Sequence, residues 1–213
     1  MPVTIQKKND EALSSSVEKG TVSPVIKDLW APYISRCTTG QFSHLDHGYK
    51  NHCGPTAITN MLLTLQKKKP VPALYGLSPQ KLFSEVSALG RHIFAYYNFS
   101  FWIFGGTTMM LTDLYIRLAL KKYGIKNVHV TPHLFGSASM QQKALLSALD
   151  RGSLIYLQLL KDPHYGSHHL LVSGYEIAPD KSVRLILADG WSIAPKTLLL
   201  KKTKRISFWE IRP

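Results

Sequence analysis

The apolar positions of this chain follow one period up to Gly152 and another after it. Ala57, Ile58, Met61, Leu62 and Leu65 recur at three- and four-residue spacing, which predicts a helix from Cys53 to about Lys67–Lys69, stopped by Pro70 and Pro72. A second helix is expected from Ser78-Pro79, with Leu82, Val86 and Leu89 inward and Gly90 as its close. A third spans about Thr108 to Tyr123 and stops at Gly124; a fourth spans about Ser139 to Asp150, with Leu145, Leu146 and Leu149 inward. Beyond Gly152 the alternation is two. Ser153–Leu159, His169–Ile177, Val183–Ala188 and Ile206–Ile211 read as strands, with Asp180-Lys181 as a hairpin turn. A short extended piece is expected over Val128–Thr131. Helices first and antiparallel strands afterwards predict an α+β fold, not an alternating α/β one. Residues 1–22 are polar and weakly periodic, and read as a mobile or extended lead-in to a single domain over 23–213. Ser23–Cys37, with Trp30 and two prolines, is expected to lie on the body without regular structure. The aromatic run over 94–104 suits either core packing or the wall of a groove.

Composition narrows the function classes. The chain has 213 residues, 45% hydrophobic and 18% charged, the profile of an ordinary globular protein. Its formal charge is +13, but the lysine clusters (Lys67–Lys69, Lys121-Lys122, Lys201-Lys202 with Lys204-Arg205) sit near expected element ends, as on a solvated basic surface. No nucleic-acid motif accompanies them, so nucleic acid is not expected as a partner; the basic surface suits acidic ones. No apolar run reaches spanning length and no cleavable leader pattern opens the chain, so the expected location is cytoplasmic, or secreted if a leader was removed. Two cysteines, Cys37 and Cys53, are too few for a disulfide framework and read as reduced thiols.

Cys53 is the chemical centre of the sequence. In Asn51-His52-Cys53-Gly54-Pro55-Thr56-Ala57 it stands where a loop becomes a helix, beside free amides and the positive end of the helix dipole, which favour thiolate over thiol. A thiol nucleophile needs a base, and the base needs an orienting group. Ser167-His168-His169 opens one strand, and Asp189-Gly190-Trp191 closes the next. Hairpin-linked strands bring these ends together, giving Cys53, His168 and Asp189 in chain order, with the carboxylate holding the imidazole. A metal reading also exists: His44, His47, His52 and Cys53 form one group, and His164, His168 and His169 another. Their spacing matches no tight zinc pattern, and a metal would occupy the nucleophile, so no metal or cofactor is expected.

These segments resemble the papain-like cysteine peptidases, most closely the bacterial branch typified by bacteriocin-leader-processing peptidases. Cys53-Gly54-Pro55-Thr56-Ala57 is similar to the nucleophile motif. His168, followed six residues later by Gly174-Tyr175, is similar to the base-bearing strand. Asp189-Gly190-Trp191 is similar to the orienting Asp or Asn with its nearby Trp. The resemblance covers about residues 38–192. It implies a helical N-terminal half packed on a C-terminal antiparallel sheet, and a thiol hydrolase cleaving peptide or amide bonds in a peptide or protein substrate. The family interval to Gly-Tyr selects His168 over His169, which would face the other side of the strand. The family also supplies an oxyanion-hole Gln upstream of the cysteine; Gln41 is the available match, at a longer interval than in plant enzymes of the family. Trp191 would cover the His–Asp contact. An acyltransferase using the same residues, and a non-catalytic peptide-binding module on the same fold, are the alternatives.

Overall fold

A computed structural model describes residues 23–45, 51–101, 104–203 and 205–213, without the side chains of 98–101, 104 and 105. The expected lead-in over 1–22, His47, and most of the aromatic side chains of the 94–104 run fall outside the described residues. The fold is α+β, a mixture of helices and antiparallel sheet.

Among the described residues there are five helices, α1 (Thr39–Phe42), α2 (Cys53–Lys68), α3 (Pro79–His92), α4 (Met109–Lys122) and α5 (Ala138–Asp150). Nine strands accompany them: β1 (Val25–Lys27), β2 (Tyr96–Phe101), β3 (Phe104–Thr107), β4 (His129–His133), β5 (Leu154–Asp162), β6 (Gly166–Ile177), β7 (Val183–Ala188), β8 (Lys196–Leu199) and β9 (Ile206–Arg212). The main sheet has seven strands in the order β4-β9-β5-β6-β7-β8, with β1 added on β6; β2 and β3 form a separate hairpin. All the pairings are antiparallel.

Two apolar clusters form on opposite faces of the main sheet, because strand side chains alternate. One joins Ile58, Met61 and Leu62 of α2 to Tyr156, Leu171, Trp209 and Ile211. The other joins Leu145, Ala148 and Leu149 of α5 to Ile155, Leu157, Leu170 and Val172. The sheet therefore lies between α2 and α5. α2 is buried along nearly its whole length. Ile58, Met61 and Leu62 are sealed completely, each contributing about 1.5–3 kcal/mol from removal of its side chain from water. Lys67 and Lys68 in its last turn complement the helix dipole.

Three expectations are corrected. Gly90 does not close α3, which runs on to His92. A Cβ there would lie 2.6 Å from the Tyr115 ring and 2.8 Å from the Tyr96 side chain, so this glycine makes room for aromatic packing and does not terminate the helix. The segment before Cys37 is not wholly irregular: Val25–Lys27 pairs with Tyr175–Ile177 of β6. Finally, β6 begins at Gly166, so His168 lies within the strand and not before it.

Upstream chain is fastened to α2 by side chains. Asn60 donates to the Cys37 carbonyl at 2.9 Å and accepts from the Cys37 amide at 2.8 Å. The Thr64 hydroxyl accepts from the Ser35 amide at 3.0 Å and donates to the Asn60 carbonyl at 2.6 Å. These bonds set the path of the chain into α1 and the loop before Cys53.

Candidate active site

The start of α2 is held by three segments. The Thr39 amide donates to the Gly190 carbonyl at 2.7 Å. The Thr39 carbonyl accepts from His52 Nε2 at 3.0 Å. The buried His52 ring stands edge-on to Phe83, which stacks on Phe42 at 4.3 Å. On its other side α2 meets the β3–α4 junction, where a Cβ on Gly54 would overlap the Thr107 side chain. Glycine is required here by close packing, since Gly54 is an ordinary helical residue.

Cys53 is the first residue of α2, and its side chain is partly accessible. Burial pushes its thiol above the usual cysteine range. Opposing this are the amide N–H groups of His169, Gly54 and Cys53 itself, which favour the thiolate. The helix start favours the thiolate, as the sequence predicts, but burial opposes it and is the larger effect, so activation of this thiol calls for a base. Cys37, also a free thiol, is raised by burial too, with Lys67 partly opposing.

His168 is 3% exposed and sits between two rings, parallel to Tyr165 at 5.5 Å and tilted to Trp191 at 4.4 Å. Its Nε2 lies 2.6 Å from the main-chain oxygen of Asp189. A carbonyl can only accept, so Nε2 carries the proton and Nδ1 presents its lone pair. No hydrogen bond to Nδ1 is found among the described residues. Burial pulls the imidazole below its ordinary value of about 6.5, with the Asp189 carbonyl and charge opposing, so the ring is neutral at pH 7.

Asp189 is beside His168 as the sequence predicts, but by a different atom. Its carboxylate is turned to its own loop: Oδ1 accepts from the amides of Trp191 and Ser192, both at 2.9 Å, and Oδ2 accepts from Tyr165 Oη at 3.3 Å. Neither a hydrogen bond nor an ion pair joins the carboxylate to the His168 ring among the described residues. The expected carboxylate–imidazole contact is therefore replaced by a carbonyl–imidazole contact, while the carboxylate shapes the turn that aims the carbonyl. Asp189→Asn keeps a side-chain oxygen for the two amides and leaves the main-chain contact untouched. We expect its kcat on a peptide substrate to fall less than about tenfold, whereas loss of a triad carboxylate would cost about 10⁴-fold; steady-state kinetics distinguish the two.

His169 shares burial and a carbonyl-bound Nε2 with its neighbour but faces the other way: strand alternation puts the His168 ring on the α5 face of β6, with Leu159, Leu170 and Val172, and the His169 ring on the α2 face, where Cys53 begins the helix. It is buried on the α2 side of β6, where Nε2 donates to the Thr107 carbonyl at 3.2 Å and Nδ1 accepts from Tyr156 Oη at 3.1 Å. Both nitrogens are spent, and burial lowers its pKa to about 3. It cannot serve as a base at neutral pH, but it ties β6 and β5 to the β3–α4 junction beside Gly54. Its neutral form is native and its charged form belongs to the unfolded chain. Stability is therefore full above pH 6.5 and declines as pH falls from 6.5 towards 3, by at most about 1.4 kcal/mol per pH unit from this group. Urea midpoints between pH 4 and 7 test this; the slope should shrink in His169→Gln.

Gln41 lies in α1 and is exposed. Its Oε1 accepts from the Thr38 amide at 2.9 Å and its amide donates to Thr38 Oγ1 at 3.3 Å, a capping box. Its carboxamide nitrogen makes no hydrogen bond among the described residues. The only hydrogen-bond partner of the Gln41 side chain among the described residues is Thr38, and no bond joins it to Cys53, so the structure does not bring Gln41 to the thiol, where the resemblance places it. His44 and His164 are not gathered with the other histidines into a metal-binding group; no group of three potential ligands exists among the described residues.

No family model matches the chain, and no curated protein is significantly similar to it in sequence.

What the sequence leaves unseen is a set of buried polar side chains near the start of α2. Tyr156, Thr107 and Gln158 lie buried on the α2 side of the sheet or at its edge. Gln158 interrupts the apolar alternation Leu154, Tyr156 of β5, and that is the sequence signal that could have found it.

Proposed function

We propose that this protein is a papain-like thiol hydrolase that cleaves peptide bonds through an acyl-enzyme. The observation that carries this reading is a pairing of two facts about adjacent residues. The amide of His169 favours the thiolate of Cys53, and His168 next to it has Nε2–H fixed on a carbonyl and Nδ1 free. A neutral imidazole with one committed nitrogen is a base in the required tautomer.

Both the thiol and the imidazole are shifted by burial toward their neutral forms, so the proton moves as the substrate is attacked. His168 Nδ1 takes the thiol proton while the sulfur forms a bond to the scissile carbonyl carbon. The oxygen that gains charge meets the Cys53 amide at the start of α2. Collapse breaks the carbon–nitrogen bond, and His168 returns its proton to the leaving amine. Water, deprotonated by His168, then attacks the thioester; the acid leaves and the thiol is restored. Trp191 and Tyr165 flank the imidazole and keep solvent from the His168–Asp189 contact. The α+β arrangement, with the cysteine helix lying on an antiparallel sheet, supports the same family reading; because β6 carries the His168 ring on the face away from α2, the proton transfer requires the ring to turn toward Cys53 at this end of the strand.

Because His168 is held below its ordinary pKa, the acid limb of kcat/KM should lie below pH 6.5. A peptide library incubated with wild-type protein and with Cys53→Ala tests the proposal: sequence-selective cleavage by the first and none by the second is expected, and equal profiles would overturn it.

A further inference from the structure

A cavity of about 570 Å³ opens at the far end of α2 from Cys53. The helix has 16 residues at about 1.5 Å rise each, so the two places stand roughly 24 Å apart along its axis. The cavity lies between the C-terminal ends of α2 and α4. Leu65 of α2 and Val71, Ile125 and Val128 of the segments after the two helices supply apolar walls. The last three pack on the α2 cluster but stay only half-buried, so apolar surface faces the cavity. The surrounding backbone is firm. Pro70 and Pro72 fix φ on one side. On the other, the Gly124 and Ile125 amides donate to the Lys121 and Leu120 carbonyls at 3.0 and 2.9 Å. A preformed apolar hollow of this size falls in the range of ligand sites, about 300–1,000 Å³.

The charge around it has one sign. Lys68, Lys69 and Lys126 line the cavity, and no aspartate or glutamate does. None of the three is ion-paired among the described residues. The Lys68 ammonium is set in place 3.8 Å from the centre of the Trp30 ring, a contact that leaves its charge unneutralised. Glu85 bonds the hydroxyl of Tyr123, another wall residue, but is itself paired with Lys122 at 3.0 Å. Opposing the lysines are the two helix ends, each worth about half a negative charge. Three unit charges outweigh them, and the Leu65, Leu120 and Lys121 carbonyls at those ends already accept amides.

We propose that this cavity binds a small amphipathic carboxylate, an alkyl or aryl chain ending in one anionic group. The chain lies on the apolar wall and the carboxylate among the three ammonium groups. A cationic ligand is excluded by repulsion, and a neutral one gains nothing from the lysines. Phosphate recognition draws on arginine forks or helix N-terminal amides, whereas this cavity offers helix C-termini and no arginine. The proposal is independent of the peptidase reading.

The test titrates the full chain with octanoate and with its neutral counterpart octanamide, by calorimetry and by amide NMR shifts. Octanoate should bind about tenfold more tightly than octanamide at low salt, and raising the salt to about 0.5 M should remove most of that preference. Shifts should centre on Val71, Gly124, Ile125 and Val128 and leave Gly54, at the other end of α2, unmoved. Lys69→Gln/Lys126→Gln should weaken octanoate about fivefold and leave octanamide unchanged, whereas Lys143→Gln, on α5, should change neither. All three substituted lysines are exposed, so the urea midpoint should stay where it is. Equal affinity for the two compounds, an unchanged affinity in the double variant, or shifts centred elsewhere on the chain would overturn the proposal and leave a solvated basic surface.

Discussion

Cys53→Ala is expected to abolish turnover, and His168→Ala to lower kcat/KM by about 10²–10⁴-fold, the range for removing a general base. Cys53→Ala should cost little stability, whereas His168→Ala removes a buried ring and leaves the Asp189 carbonyl without its donor, about 1–3 kcal/mol. His169→Ala should cost more, because Thr107 and Tyr156 both lose a buried partner, while the base survives. Measuring urea midpoints alongside kinetics for the two histidines separates these roles. A His169→Ala variant that folds normally and is inert, beside an active His168→Ala, would reverse the assignment of the base.

The second large effect is expected at Gly54. A methyl group there would overlap the Thr107 side chain, so α2 or the β3–α4 junction must shift. The cost is about 1–3 kcal/mol of stability from overpacking. The functional loss should exceed what stability alone explains. Gly54 follows the nucleophile, its amide favours the thiolate, and Thr107 is bonded through its carbonyl to His169. Gly54→Ala should therefore unfold at lower urea and alkylate Cys53 more slowly even where it is fully folded. Thr107→Ala, made in the same background, should restore part of both, because it removes most of the overlapping side chain. An additive double mutant would show that the two residues do not meet.

The sequence carried the elements whose side chains bury a stripe. α2, α4, α5, β7 and β9 follow the periodicity of Met61, Ile116, Leu149, Leu185 and Phe208, all deep in the core. It did not carry elements too short to show a period: α1 spans four residues and β1 three. Gly90 misleads because a glycine near a helix end reads as a stop, whereas this one is explained by Tyr115, a residue far along the chain. The candidate site was legible at the level of residue type, since Cys53, the His168-His169 pair and Asp189 are the chain's evident chemistry. Its wiring was not. Which atom of Asp189 reaches His168 depends on the turn made by Gly190 at φ 72° and on two amide bonds within that loop. Side-chain identity says nothing about a main-chain contact. Nor could the sequence show that desolvation outweighs the helix amides at Cys53, because that balance depends on what packs over the sulfur.

The central claim is that His168 activates Cys53, and it is tested most directly by the rate of iodoacetamide alkylation at each cysteine between pH 5 and 9. Wild-type Cys53 should react at least about tenfold faster than Cys37 near neutral pH, and His168→Ala should bring the two rates together. Equal and slow modification of both thiols, unmoved by the loss of His168, would contradict it.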